Sequence, residues 1–120
     1  MEEIRTQAEV LEILNKYAQT LRDENVDFHS LYLFGSYARG NPRKWSDIDV
    51  AVVVNSSEYS DEEETKLWTL RDSTSLIEPH YFNLPEFIKG YDPMVDAVKE
   101  NYVFIAGVED LCKEKNKDIA

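Results

Sequence analysis

Leu33-Phe34-Gly35-Ser36-Tyr37-Ala38-Arg39-Gly40, followed shortly by Ser46-Asp47-Ile48-Asp49-Val50-Ala51-Val52-Val53-Val54, is the stretch whose reading decides the fold. The first block reads as a strand ending in a Gly-Ser turn that opens a short helix. The second reads as a strand entered through two carboxylates. Residues i and i+2 of a strand project to the same face, so Asp47 and Asp49 stand side by side. Two like charges held that close repel unless a cation neutralises them. Gly35 permits close backbone approach, and the helix after it aims free N–H groups and its positive dipole end back at the turn. A phosphate cradle beside paired aspartates is equipment for phosphoryl or nucleotidyl transfer.

Two other phosphate-binding patterns do not fit. A Walker A loop needs Lys-Ser or Lys-Thr after its second glycine, whereas Gly40 precedes Asn41-Pro42. A dinucleotide fingerprint needs three spaced glycines, and this region has only Gly35 and Gly40. Gly35-Ser36, Ala38-Arg39-Gly40 and Asp47-Ile48-Asp49 instead match, in type, order and spacing, the signature of another group. The chain resembles the nucleotidyltransferase superfamily that includes DNA polymerase beta, and most closely its minimal stand-alone members. The likeness is strongest over Leu31 to Val54 and extends loosely to about Gly107.

Composition narrows the partners. A chain of 120 residues is expected to form one domain with a single core. No stretch is long and apolar enough to span a membrane. The acidic start Met1-Glu2-Glu3 lacks a signal-peptide core, and a cytoplasmic location is expected. Cys112 is the only cysteine, which excludes an internal disulfide. The net charge of −11 opposes a polyanion, so a protein or small-molecule acceptor is expected rather than nucleic acid.

The remaining pattern alternates helix and strand, predicting an α/β (α+β) fold with a small mixed sheet and helices packed on it. Thr6 and Glu9 form a capping box for a first helix with Ala8, Leu11, Leu14, Ala18 and Leu21 on its apolar face. Strands are predicted over 29–34, 47–54, 76–82 and 103–106. The strand after Asp49 is apolar throughout and reads as central, buried on both faces. Ser60 and Glu63 read as a second capping box opening a helix over 61–73, whose acidic first turn suits the helix dipole. Asn83 and Asp92-Pro93 begin two more helices, the first ended by Gly90. The tail from Lys113 is polar and expected to fray.

The resemblance implies the nucleotidyltransferase fold and specific roles. Asp47 and Asp49 would be metal ligands and catalytic residues, holding Mg²⁺ in a two-metal site. Gly35, Ser36 and Arg39 would bind the nucleotide, with Arg39 alternatively pairing with the aspartates; Ser36 also fits a helix N-cap. Members of the family carry a third carboxylate on a later strand. Its best match is Glu78 in Leu76-Ile77-Glu78-Pro79-His80-Tyr81-Phe82, although it is Glu rather than Asp and Pro79 disturbs the ladder. His80 shares its face and reads first as a structural histidine, then as a base or ligand. Trp45, Trp68, Tyr81 and Phe82 fit packing better than base stacking.

The implied reaction moves a nucleoside monophosphate, AMP from ATP or its equivalent from another nucleoside triphosphate, onto a hydroxyl. Stand-alone relatives pair with HEPN-type helical proteins as antitoxins, so such a partner, or a second copy of the chain, is expected. The competing reading is a degenerate copy of the fold that neutralises a partner by docking. An antibiotic-modifying transferase fits less well, because those enzymes add a helical substrate domain.

Overall fold

The computed structural model describes residues 4–44, 46–72 and 74–113. Trp45, the Ser73 end of the helix predicted over 61–73, and the tail 114–120 lie outside the described residues. The elements run α1 (Gln7–Asp23), β1 (Phe28–Phe34), α2 (Ser36–Arg39), β2 (Ile48–Val54), α3 (Asp61–Thr69), β3 (Ile77–Asn83), α4 (Leu84–Lys89), α5 (Pro93–Glu100) and β4 (Tyr102–Gly107). The four strands lie in the order β3-β2-β1-β4. β1 is antiparallel to both β2 and β4, while β2 and β3 are parallel. The sheet is therefore mixed. Among the described residues no helix is long and apolar enough to cross a membrane.

Alternation along the strands creates two cores. Leu31, Leu33, Ile48, Val50, Val52 and Val54 face the side covered by α1, whose Val10, Leu14, Tyr17, Ala18 and Leu21 are buried. Tyr32, Phe34, Ala51, Val53 and Phe82 face the other side, covered by Phe87 of α4 and by Val95 and Val98 of α5. β2, with apolar neighbours on both faces and a strand on either side, is the central strand its sequence announces.

The helices depart from expectation at identifiable points. The Thr6–Glu9 capping box forms, with bonds of 2.8 and 3.1 Å. Around it the buried stripe of α1 includes Val10 and Tyr17, whereas Ala8 is exposed and Leu11 half-buried. Burying Tyr17 is feasible because its hydroxyl donates to the Leu67 carbonyl at 2.6 Å. At α3 only half of the second box exists. Ser60 Oγ accepts from the Glu63 N–H, but the Glu63 carboxylate turns to accept from Ser56 and Tyr81. α3 ends at Thr69, short of the predicted boundary. The N-caps at Asn83 and Asp92 form as read. Lys113 closes a short 3₁₀ turn with Leu111 and Cys112, and Cys112 is buried there.

Candidate active site

The site grows from one row across the sheet. In the β-sheet register Phe34 of β1 faces Asp49 of β2, and Asp49 faces Glu78 of β3. Two residues along β3, His80 lies opposite Ala51. The period of two places Asp49, Glu78 and His80 on one face, the face of Ala51 and Phe82. Asp47 precedes β2, which begins at Ile48 rather than at Asp47 itself.

Gly35 closes the row at β1. It has φ +80, and a Cβ placed on it would collide with the Asp49 carboxylate. Glycine is thus required twice, by the backbone conformation and by the space Asp49 occupies. Gly35 also takes the N-cap position of α2, with no side-chain cap hydrogen bond. Ser36 is consequently the first helical residue and not the N-cap. Arg39 sits exposed in the last turn of α2. Among the described residues it makes no ion pair with Asp47 or Asp49.

His80 Nε2 lies 3.2 Å from Asp49 Oδ1 and 3.9 Å from Glu78 Oε2. Its ring meets Phe34 edge-on, with centroids 5.0 Å apart, which fixes the imidazole plane. Ligand atoms of Asp49, Glu78 and His80 all lie within 4.8 Å of one another. Partial burial, a hydrogen bond with Asp47 and the charge of Asp49 push the Glu78 carboxyl above the usual carboxylate range, while His80 opposes the shift. Burial is the largest cause and the neighbouring carboxylates add to it; a cation at the site relieves their repulsion. The donor set therefore fits divalent ions with oxygen ligands.

The residues singled out in the sequence separate at this point. Gly35, Asp49 and Glu78 come together, whereas Asp47 lies exposed just before β2 and is not among the clustered residues Asp49, Glu78 and His80. Pro79 does not break the row: β3 is an edge strand paired only with β2, so a missing N–H toward the open side costs no ladder bond. His80, read first as structural, stands in the cluster; the i, i+2 spacing from Glu78 is the signal for it. Phe82 is core, Tyr81 bonds Glu63, and Trp68 stacks under Arg71 at 5.0 Å. None of these three is among the residues of the carboxylate cluster.

Comparison with known proteins identifies relatives and a shared fold. A candidate protein adenylyltransferase of Methanocaldococcus jannaschii is 41% identical over 56 residues, which is 47% of this chain and 55% of the relative. The chain spans about half the length of the curated relatives it matches. The fold is shared with the crystal structure of a candidate nucleotidyltransferase from Sulfolobus solfataricus, with TM-score 0.61 and 17% identity over 82% of this chain and 80% of that one. It is shared too with a structure of the tri-AMPylated Shewanella oneidensis HEPN toxin in complex with MNT antitoxin, with TM-score 0.53 and 20% identity over 95% and 79%. The model of the nucleotidyltransferase domain matches residues 14–105, which include the whole row from Gly35 to His80, and the chain belongs to that family.

Proposed function

We propose that this protein transfers AMP from ATP to a hydroxyl of a protein acceptor, with release of pyrophosphate, in a reducing cytoplasm. The observation that carries the proposal is the juxtaposition of Asp49 and Glu78 across paired strands, beside a glycine turn whose missing Cβ makes room for Asp49. In the reaction the acceptor oxygen bonds to the α-phosphorus, the bond from that phosphorus to the β-bridging oxygen breaks, and the hydroxyl proton is lost. Gly35 and Ser36 receive the triphosphate against backbone N–H groups and the Ser36 hydroxyl. Arg39, exposed in the last turn of α2 and without an ion pair to the aspartates among the described residues, would bind a phosphate oxygen. Asp47, Asp49 and Glu78 would hold Mg²⁺, which supplies charge neutralisation and lowers the pKa of the attacking hydroxyl. Rigid strands supply the positioning on which such a transfer depends.

Support for a protein acceptor comes from the net charge of −11, which disfavours nucleic acid, and from the adenylyltransferase name of the Methanocaldococcus relative. The Shewanella complex pairs an MNT antitoxin with an AMPylated HEPN toxin, and a helical partner of that type is the acceptor proposed here. The position of Glu78 beside Asp49 favours catalysis over docking alone.

The test is incubation of the protein with Mg²⁺ and α-labelled ATP in lysate from its source, alongside Asp49→Asn. A labelled protein band, weakened about a hundredfold or more in the variant, is expected. Silence with every common nucleoside triphosphate, in Mg²⁺ and in Mn²⁺, overturns the proposal.

A further inference from the structure

We infer that His80 is a direct ligand of the divalent ion held by Asp49 and Glu78, so that the site takes a first-row transition ion such as Mn²⁺ in preference to Mg²⁺. The inference rests on the catalytic reading of the carboxylate row and adds to it a nitrogen donor.

Donor spacing carries the argument first. Ligands about 2.0–2.1 Å from one octahedral ion lie about 2.9 Å apart when adjacent and about 4.2 Å apart when opposite. His80 Nε2 stands 3.2 Å from Asp49 Oδ1 and 3.9 Å from Glu78 Oε2, within the range that one coordination sphere spans. Orientation is the second support. The imidazole is held edge-on to Phe34, and its strand is locked to β2 by a parallel register running from Ile48–Ile77 to Val54–Asn83. The ring therefore faces the carboxylates without having to reorganise. Chemistry is the third. A purely carboxylate and water site suits Mg²⁺, whereas an imidazole nitrogen is a softer donor that raises affinity for the first-row transition ions, least for Mn²⁺ and progressively more for Fe²⁺, Co²⁺ and Ni²⁺. Adding His80 to Asp49 and Glu78 shifts the balance toward them.

The chain has two histidines, which makes the assignment separable. His29 lies near the start of β1, at the end away from Gly35, with its Nδ1 3.1 Å from Ser30 Oγ. The experiment is pulsed electron paramagnetic resonance on the full chain loaded with Mn²⁺ alone. A nitrogen coupling from a directly bound imidazole is expected in the unmodified protein and in His29→Gln. The coupling should vanish in His80→Gln. That variant should still bind Mn²⁺ through the carboxylates, with its Mn²⁺-over-Mg²⁺ preference reduced about tenfold or more in competition, the scale on which metal-site partners act.

Mn²⁺ bound without nitrogen coupling overturns the role of His80 and leaves the carboxylate reading standing. Coupling that survives in His80→Gln overturns it as well. If Mn²⁺ does not bind to the unmodified protein, both readings fall. Because the decisive spectrum is that of the unmodified chain, a variant that folds poorly cannot decide the outcome.

Discussion

Gly35 and Gly40 bracket α2 with nearly the same φ, +80 and +82, yet they answer to different constraints. Around Gly40 a Cβ meets no atom within 4 Å, so Gly40→Ala faces only the strain of the left-handed region, about 1–2 kcal/mol. Around Gly35 the same Cβ also meets the Asp49 carboxylate and must displace it. Gly40→Ala is therefore expected to lower stability while retaining nucleotidyl transfer. Gly35→Ala is expected to lower stability by at least as much and to abolish transfer. Urea unfolding midpoints beside the labelled-ATP assay check both, and full activity in Gly35→Ala would contradict the packing described for Asp49. At the third carboxylate, Glu78→Gln keeps the shape of the side chain and removes its charge. Loss of transfer by about a hundredfold is expected, with an unfolding midpoint at neutral pH that is no lower and rises if relief of the repulsion with Asp49 outweighs lost contacts.

Elements meet through a few polar contacts that the sequence does not display. The Tyr17 hydroxyl ties α1 to α3 through the Leu67 carbonyl, and both partners are buried. Tyr17→Phe leaves that carbonyl without its donor, so a loss of about 1–2 kcal/mol is expected in chemical denaturation. An unchanged midpoint would show that the bond contributes nothing net. The contact also explains why the α1 stripe differs from its reading: a count of aliphatic residues omits a tyrosine whose hydroxyl is satisfied from fifty residues away. The Glu63 carboxylate is similar, drawn from its own helix cap toward Ser56 and Tyr81. Local chemistry was legible. Gly35, Asn83 and Asp92 could be placed at turns and caps, and Asp49 near the head of a buried strand, whereas Asp47, read as the first residue of that strand, lies before it and outside the cluster. That His80 accompanies Glu78 follows from their i, i+2 spacing, but whether the pair would face Asp49 depended on the parallel register of β2 and β3, a long-range property.

For the molecule as a whole, buried tyrosines set the alkaline limit. Burial pushes the Tyr32 hydroxyl up to about 12, and burial likewise raises Tyr17 and, with help from Asp110, Tyr102. Each keeps its proton in the folded state at a pH where the unfolded chain has lost it. The stability so contributed is complete below the unfolded tyrosine value of 10.0 and falls as pH rises from there through the folded values. Urea midpoints should therefore hold up to about pH 9 and drop from about pH 10 toward about pH 12, with tyrosinate absorbance appearing together with unfolding. Tyrosine ionisation that precedes any loss of structure would contradict the burial described.

The parallel pairing of β2 with β3 also dictates an order of assembly. Antiparallel neighbours can close as hairpins, but a parallel pair waits for its crossover, here the segment carrying α3. A nascent chain delivered as far as Val54 possesses the glycine turn and both aspartates without the strand that faces them. Any ion or nucleotide that requires the finished row binds only the completed fold. At a hundredfold excess over its dissociation constant, such a ligand adds about 2.7 kcal/mol to the closed state. Loading of the site and completion of the sheet are thereby one linked equilibrium, and a chain that has not finished folding is barred from the chemistry.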